Sequence, residues 1–267
     1  MTARVIAAAP SVTLPRPRFG PVNWLRSYLV VTRWQLASLR LVLPVLAAVE
    51  ILAGVGLVLG FGLFFPGSIP ARSVLYLSTG VPVITLYLVG LVFVPQVVGQ
   101  QKLAQTYDFV QSLPVPRSAG FAAWYSMNLL LGVPAMVASL VAAAFRYNAA
   151  LHVSLAVIPA TMLICLTSTA IGYAIGHAIP LPMLANTLVQ VLNFFVFGFS
   201  AIMFPADQLP AWLAAVNSGL PFEAMGTVMR AALSTVPVEG VAGAYALLAA
   251  WLAAGLLVAA AAVMRRG

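Results

Sequence analysis

The sequence predicts an all-α membrane protein with six transmembrane helices, an N-terminal interfacial helix, a short cytoplasmic helix, and short extracellular helices ahead of the last span. Three observations carry this. Residues 147–206 contain no Lys, Arg, Asp or Glu, and residues 73–101, 118–145 and 240–264 repeat the pattern. Charged residues make up 7% of the 267-residue chain, too few to cover a soluble domain of that size. The basic residues sit at the ends of apolar runs rather than on a face, and a hydrocarbon core about 30 Å thick is crossed by roughly 20 apolar helical residues.

Residues 1–21, broken by Pro10, Pro15 and Pro17, hold no apolar stretch ending in a cleavage site and read as a cytoplasmic tail rather than a signal peptide. In residues 22–40, Arg26, Arg33 and Arg40 recur every seven positions and so share one helical stripe, with Trp24, Leu25, Leu29, Trp34 and Leu36 around it. This is the pattern of an interfacial helix on the inner leaflet. Two uses stay open: a topology anchor drawn to anionic lipid, or a docking surface for a cytoplasmic partner.

Residues 41–267 form the six-span domain, with spans at 41–65, 74–99, 119–145, 152–176, 184–204 and 241–263. Ile179-Pro180-Leu181-Pro182 divides the longest uncharged stretch into two of these, since proline clusters end helices. Six spans put both termini on one side. Ten of the thirteen basic residues, including Arg4, Arg16, Arg18, Lys102, Arg117, Arg265 and Arg266, then share that side, which the positive-inside rule makes cytoplasmic. Arg72, Arg146 and Arg230 fall outside with Asp207, Glu223 and Glu239. A net charge of +8 would suit nucleic acid only on a folded basic face, so none is expected as a partner. The single Cys165 excludes an internal disulfide and any CxxC metal site. His152 and His177, at opposite span ends, read as interfacial residues rather than ligands, so no metal is expected.

The loop between the second and third spans is the longest cytoplasmic one. In it Thr106 is placed to cap a short helix from Tyr107 to Leu113, Asp108 suits the positive end of that helix, and Pro114 and Pro116 stop it. An ordinary polar connection is the alternative. Between the fifth and sixth spans, two short amphipathic helices broken at Ser218-Gly219 are expected, with Trp212 and Phe222 at the outer interface.

Polar residues inside the spans are few. Glu50 lies in the inner half of the first span, where three uses are open: contact with a cationic substrate, a proton-linked role, or a hydrogen-bonded structural carboxyl. Asn186, Gln190 and Asn193 fall on one face of the fifth span with Phe194 and Phe197 nearby. They either line a pathway or make interhelical hydrogen bonds worth about 0.6 to 2 kcal/mol each. Gly56 with Gly60, and Gly172 with Gly176, permit close helix approach. Pro82, Pro95, Pro134 and Pro159 interrupt spans as hinges or as ordinary membrane prolines.

The loop Gln105-Thr106-Tyr107-Asp108-Phe109-Val110-Gln111-Ser112-Leu113-Pro114-Val115 resembles the first cytoplasmic loop of ABC-2 type permeases, the membrane subunits of ABC exporters. Phe204-Pro205, Leu209-Pro210-Ala211-Trp212-Leu213, Leu220-Pro221 and Arg230 resemble that family's hallmark before the last span. The chain departs from the pattern where the family loop commonly has an acidic residue (Gln100 or Gln101 here), a glycine (Gln105) and a small or hydroxyl residue (Glu223).

The resemblance implies a permease in a bacterial plasma membrane that pairs with a second copy or a paralogue. It also implies two cytoplasmic ABC ATPases docked on the segment Gln105 to Leu113, and an amphipathic substrate, drug or lipid, as in multidrug efflux and antibiotic resistance. No G-x-x-x-x-G-K-[ST] loop occurs in the chain, whose one lysine follows Gln100-Gln101. ATP and Mg are therefore expected on the partner, with no cofactor and no catalytic residue on this chain. A secondary transporter and an intramembrane lipid-modifying enzyme are the rival readings, each short of ionisable groups at membrane depth.

Overall fold

A computed structural model of the chain describes residues 20–63, 70–148 and 151–264. The expectations for the tail with Arg4, Arg16 and Arg18, for residues 64–65 at the end of the first span, and for Arg265 and Arg266 lie outside the described residues.

All of the regular structure among the described residues is helical. α1 (Pro21–Ser38) opens on a proline, which fits a first helical position because the missing N–H has no partner there anyway. α2 (Leu43–Leu63) follows. α3 (Ala71–Leu88), a π segment (Val89–Phe93) and α4 (Val94–Leu103) run on as one helix of 33 residues. The π segment has a sequence cause: Pro95 lacks the N–H that would bond back to Leu91, and its ring crowds that carbonyl, so the turn ahead of it widens. After α5 (Tyr107–Ser112) come the long α6 (Arg117–Tyr147), α7 (Val157–Ala178) and α8 (Pro182–Phe199). A 3-10 turn at Ala206–Gln208, α9 (Ala211–Gly219) and α10 (Pro221–Leu233) precede α11 (Val241–Met264). Six of these helices are long and apolar enough to cross a membrane.

Several boundaries differ from the expected ones, for local reasons. The fourth span starts at Val157, not at 152, because His152 N–H and Ser154 N–H pair with the carbonyls of Leu233 and Ala232 at 3.0 Å in an extended stretch. The fifth span stops at Phe199, where Asn217 takes over: its side chain donates to Phe199 O at 2.9 Å and accepts from Ala201 N–H at 3.2 Å. The break between the two short helices falls at Leu220, and α5 ends before Leu113, because the residue preceding a proline is pushed out of the helical region.

The second span forms the axis of the bundle. Its apolar window is 83% buried, against 17% for α2, α8 and α11, which face outward. α2 and α6 pack on α3 and on each other, α7 packs on α3 and the π segment, α11 lies against α7 and α10, and α8 leans on α4. The tightest crossing is between α7 and the π segment, where Gly172 lies against the Gly90 carbonyl. Beside it Asn128 Nδ2 reaches Cys165 O, Ser168 Oγ and Thr169 Oγ1 at 2.9 to 3.1 Å, linking α6 to α7. Gly176 likewise meets Pro95 and Val98. The Gly56 and Gly60 pair does not serve this purpose, for no described atom lies within 4 Å of where a Cβ would stand. On that helix Gly54 is the packed position, 2.8 Å from Thr85 Cγ2 by the same construction.

α4 ends in a Schellman motif. Thr106 N–H returns to Gln101 O at 3.0 Å and Gln105 N–H to Lys102 O at 3.3 Å, with Gln105 at φ +58°. This left-handed position costs a non-glycine residue roughly 1–2 kcal/mol, whereas glycine gives up roughly 0.5–1 kcal/mol through the freedom it gains when unfolded. Gln105→Gly is therefore expected to raise stability by about 0.5–1 kcal/mol. A thermal unfolding midpoint in detergent that falls below that of the parent chain contradicts this.

Candidate functional site

The end of the bundle at which α1 begins and α11 finishes is built around α5. Tyr107, buried at the start of this helix, lies 5.7 Å from the His177 ring, which stacks on Tyr173 at 3.9 Å. Phe121 of α6 completes the aromatic column edge-on to Tyr173. The His177 expected at an interface is thus a buried part of this column, its Nδ1 2.9 Å from Tyr173 O. Lys102 sits over the Tyr107 ring at 5.2 Å and donates to Gly176 O at 2.6 Å and Ile179 O at 2.7 Å. Those carbonyls are at the C-terminal end of α7, where a helix carries partial negative charge. One ammonium therefore ties the end of α4 to the turn joining α7 and α8.

The rest of the segment faces outward. Gln105, Thr106, Asp108 and Leu113 are exposed, Phe109 is 66% exposed, and Val110 is half-buried. Gln111 and Ser112 form the last turn of α5, with side chains outside the described set. Thr106 does not cap the helix through its side chain. Its hydroxyl donates backward to Gln101 O at 3.2 Å, because the Schellman turn at Gln105 already aims it there.

α1 lies along α6, held by Trp24 Nε1 donating to Ser118 Oγ at 2.9 Å and by a 2.7 Å hydrogen bond between Tyr28 and Ser126. Arg26 and Arg33 project from it into the exposed set, and Arg40 does so from the turn that follows.

The candidate pathway residues of α8 share one place. Asn186, Gln190, Asn193, Phe194 and Phe197 all line an open groove of about 980 Å³ that contains no charged side chain. Asn193 Oδ1 accepts from the buried Tyr87 hydroxyl at 3.0 Å, while Asn186 Oδ1 has no hydrogen-bond partner among the described residues. Glu50 stands off this groove on α2, half-buried, with Oε2 lacking a hydrogen-bond partner among the described residues. Tyr87 thus ties the second span to the fifth-span amides.

At the opposite end the proline motif shapes the connection into α11. Pro205 and Pro210 bracket the 3-10 turn, Pro221 opens α10, and Trp212 is exposed. Arg230 is buried, its guanidinium 3.6 Å above the Tyr76 ring and Nη2 donating to Ile202 O at 2.9 Å. Burial pushes Arg230 down, partly offset by Tyr76 and then by Glu223, and burial raises the Glu223 carboxyl. Arg72 pairs with Asp207 at 2.7 Å. Lys102, His177, Tyr87 and Tyr76 had no place among the sequence candidates. Only Lys102 carried a signal, as the one lysine in the chain.

No curated protein matches the sequence. The family model for ABC-2 family transporter proteins matches residues 70–263, from the residue preceding α3 through nearly all of α11. Five of the six candidate spans, α5 and the proline motif all fall inside that match, and the chain belongs to the ABC-2 transporter family as a multi-pass membrane protein.

Proposed function

We propose that the chain is the transmembrane subunit of an ATP-driven exporter in a bacterial plasma membrane, with both termini cytoplasmic. A second permease, identical or paralogous, completes the pathway, and two soluble ABC ATPases supply ATP and Mg. The observation that carries this reading is α5, a short helix beyond the spans that turns Asp108 and Phe109 to water while Tyr107 anchors it to the bundle. An exposed aromatic beside a carboxylate on a rigid seat suits a docking knob.

The same geometry supports a route for force. A push on α5 bears on Lys102, and through Ile179 O on the turn that leads into α8, the helix with the amide groove. Interdomain motion passed through packed side chains and a helix end needs no other element. The groove, uncharged and lined by amides beside phenylalanines, suits an amphipathic small molecule such as a drug or lipid.

Replacing Asp108 and Phe109 together by alanine is the direct test. Membrane insertion is expected to be unchanged, and both ATPase capture and ATP-dependent transport in proteoliposomes to fall at least about tenfold, the loss of one aromatic hot spot. Capture and transport at parental levels refute the docking role of α5. Gradient-driven transport without nucleotide replaces the reading by a secondary carrier.

A further inference from the structure

Three of the five acidic residues of the chain, Asp207, Glu223 and Glu239, lie at the end of the bundle opposite α5. Two of them, Glu223 and Glu239, line a cavity of about 1010 Å³ between the start of α3, the end of α6, α10 and the loop into α11. Asp207 is already paired with Arg72. Glu223 and Glu239 line the cavity and make no ion pair among the described residues.

Facing them is Arg230, with 5% of its surface exposed. Its Nη2 is satisfied by Ile202 O and its face by Tyr76, but among the described residues its Nε has no hydrogen-bond partner, and neither has Glu223 Oε2. Arg230 and Glu223 lie seven residues apart on one face of α10, about 10.5 Å of helical rise, and stay beyond ion-pair distance. Leaving two opposite charges half-desolvated and separate is costly. The downward shift of Arg230 and the upward shift of Glu223 have that same origin in burial.

A ligand that completes both must present opposite charges. An anion alone would confront Glu223 and Glu239, and a cation alone would confront Arg230 and Arg72. A water on each orphaned atom would satisfy it, yet fills only about 30 Å³ of the space. Tyr76, Tyr147, Val236 and Pro237 supply aromatic and apolar wall for the rest of the molecule.

We propose that this cavity binds a zwitterion, with a phosphate or carboxylate turned to Arg230 and an ammonium turned to Glu223 and Glu239. A phosphoethanolamine lipid headgroup and a free soluble zwitterion share this chemistry. The site does not depend on ATPase coupling, so its failure leaves the exporter reading untouched.

The test uses the full chain in detergent, titrated calorimetrically with short-chain phosphatidylethanolamine, with phosphatidylglycerol of the same chain length, and with free phosphoethanolamine. Phosphatidylethanolamine is expected to bind at least tenfold more tightly than phosphatidylglycerol, which keeps the phosphate and lacks the ammonium. Glu223→Gln combined with Glu239→Gln is expected to erase that preference. Glu239→Gln alone, at an exposed loop position, is expected to reduce it without touching the fold. Phosphoethanolamine binding as tightly as the lipid assigns the site to soluble zwitterions, and binding at least tenfold weaker assigns it to lipid. Equal affinity for the two lipids in the parent chain, a preference that survives in Glu239→Gln and in the double variant, or no binding of any zwitterion at millimolar concentration overturns the proposal.

Discussion

Gly172→Ala is expected to abolish the accumulation of folded protein. An added Cβ would fall inside contact distance of Gly90 O, 3.0 Å from Gly90 C and 3.1 Å from Leu91 Cα. These are backbone atoms of the π segment, so no side-chain rotation relieves the clash. Overpacking costs 1–3 kcal/mol where flexible groups can yield, and here about 3 kcal/mol or more is expected because two helices of the bundle must separate. Gly90→Ala should behave alike, with Ser168 Oγ at 2.5 Å and Asn128 Nδ2 at 2.6 Å from the new methyl. Gly56→Ala is the control. It meets nothing within 4 Å and is expected to gain up to about 1 kcal/mol of helix propensity. The readout is the monodisperse fraction after heating, by fluorescence-detected size exclusion. A Gly172→Ala midpoint equal to that of Gly56→Ala would show that the crossing is looser than described.

Lys102→Met is expected to lower stability by about 2–4 kcal/mol and to reduce transport by more than the stability loss alone explains. The substitution keeps the aliphatic stem and removes the ammonium, leaving Gly176 O and Ile179 O without their donor. Hydrogen bonds to a charged group contribute roughly 1.5–3 kcal/mol each, and water at this half-exposed end recovers part of that. The contact over Tyr107 is lost as well. Lys102→Arg, which keeps charge and donors in a bulkier fork, should recover part of both properties. If Lys102→Met transports normally at temperatures where it stays folded, force does not pass through this link.

The spans were legible because a charge-free run of bilayer length has no other stable use, and the chain has four such stretches. Their ends were not. His152 to Ser154 carry no charge, glycine or proline to mark a break and turn extended because Leu233 and Ala232 offer carbonyls from far along the sequence. Gln100, Gln101 and Lys102 look like a loop yet continue a helix, since the partner of Lys102 is the end of α7. Both glycine pairs showed the same spacing. Only the one on α7 meets backbone, because α2 faces outward, and outward or inward is not written in a four-residue interval. The amide stripe of α8 was readable from its helical period, and its residues do share a groove. The tie of that stripe to the central helix, Tyr87 to Asn193, was not readable from α8 alone.

The length of the central helix has one more implication. At 1.5 Å per residue, its 33 residues reach about 50 Å, and about 47 Å if inclined by 20°. A bilayer with its headgroups is only about 40–45 Å thick. The helix is thus a mast taller than the deck it pierces, and α5 is carried at its tip. On the proposed docking role, a soluble visitor that grasps that tip is expected to bind with little dependence on lipid composition.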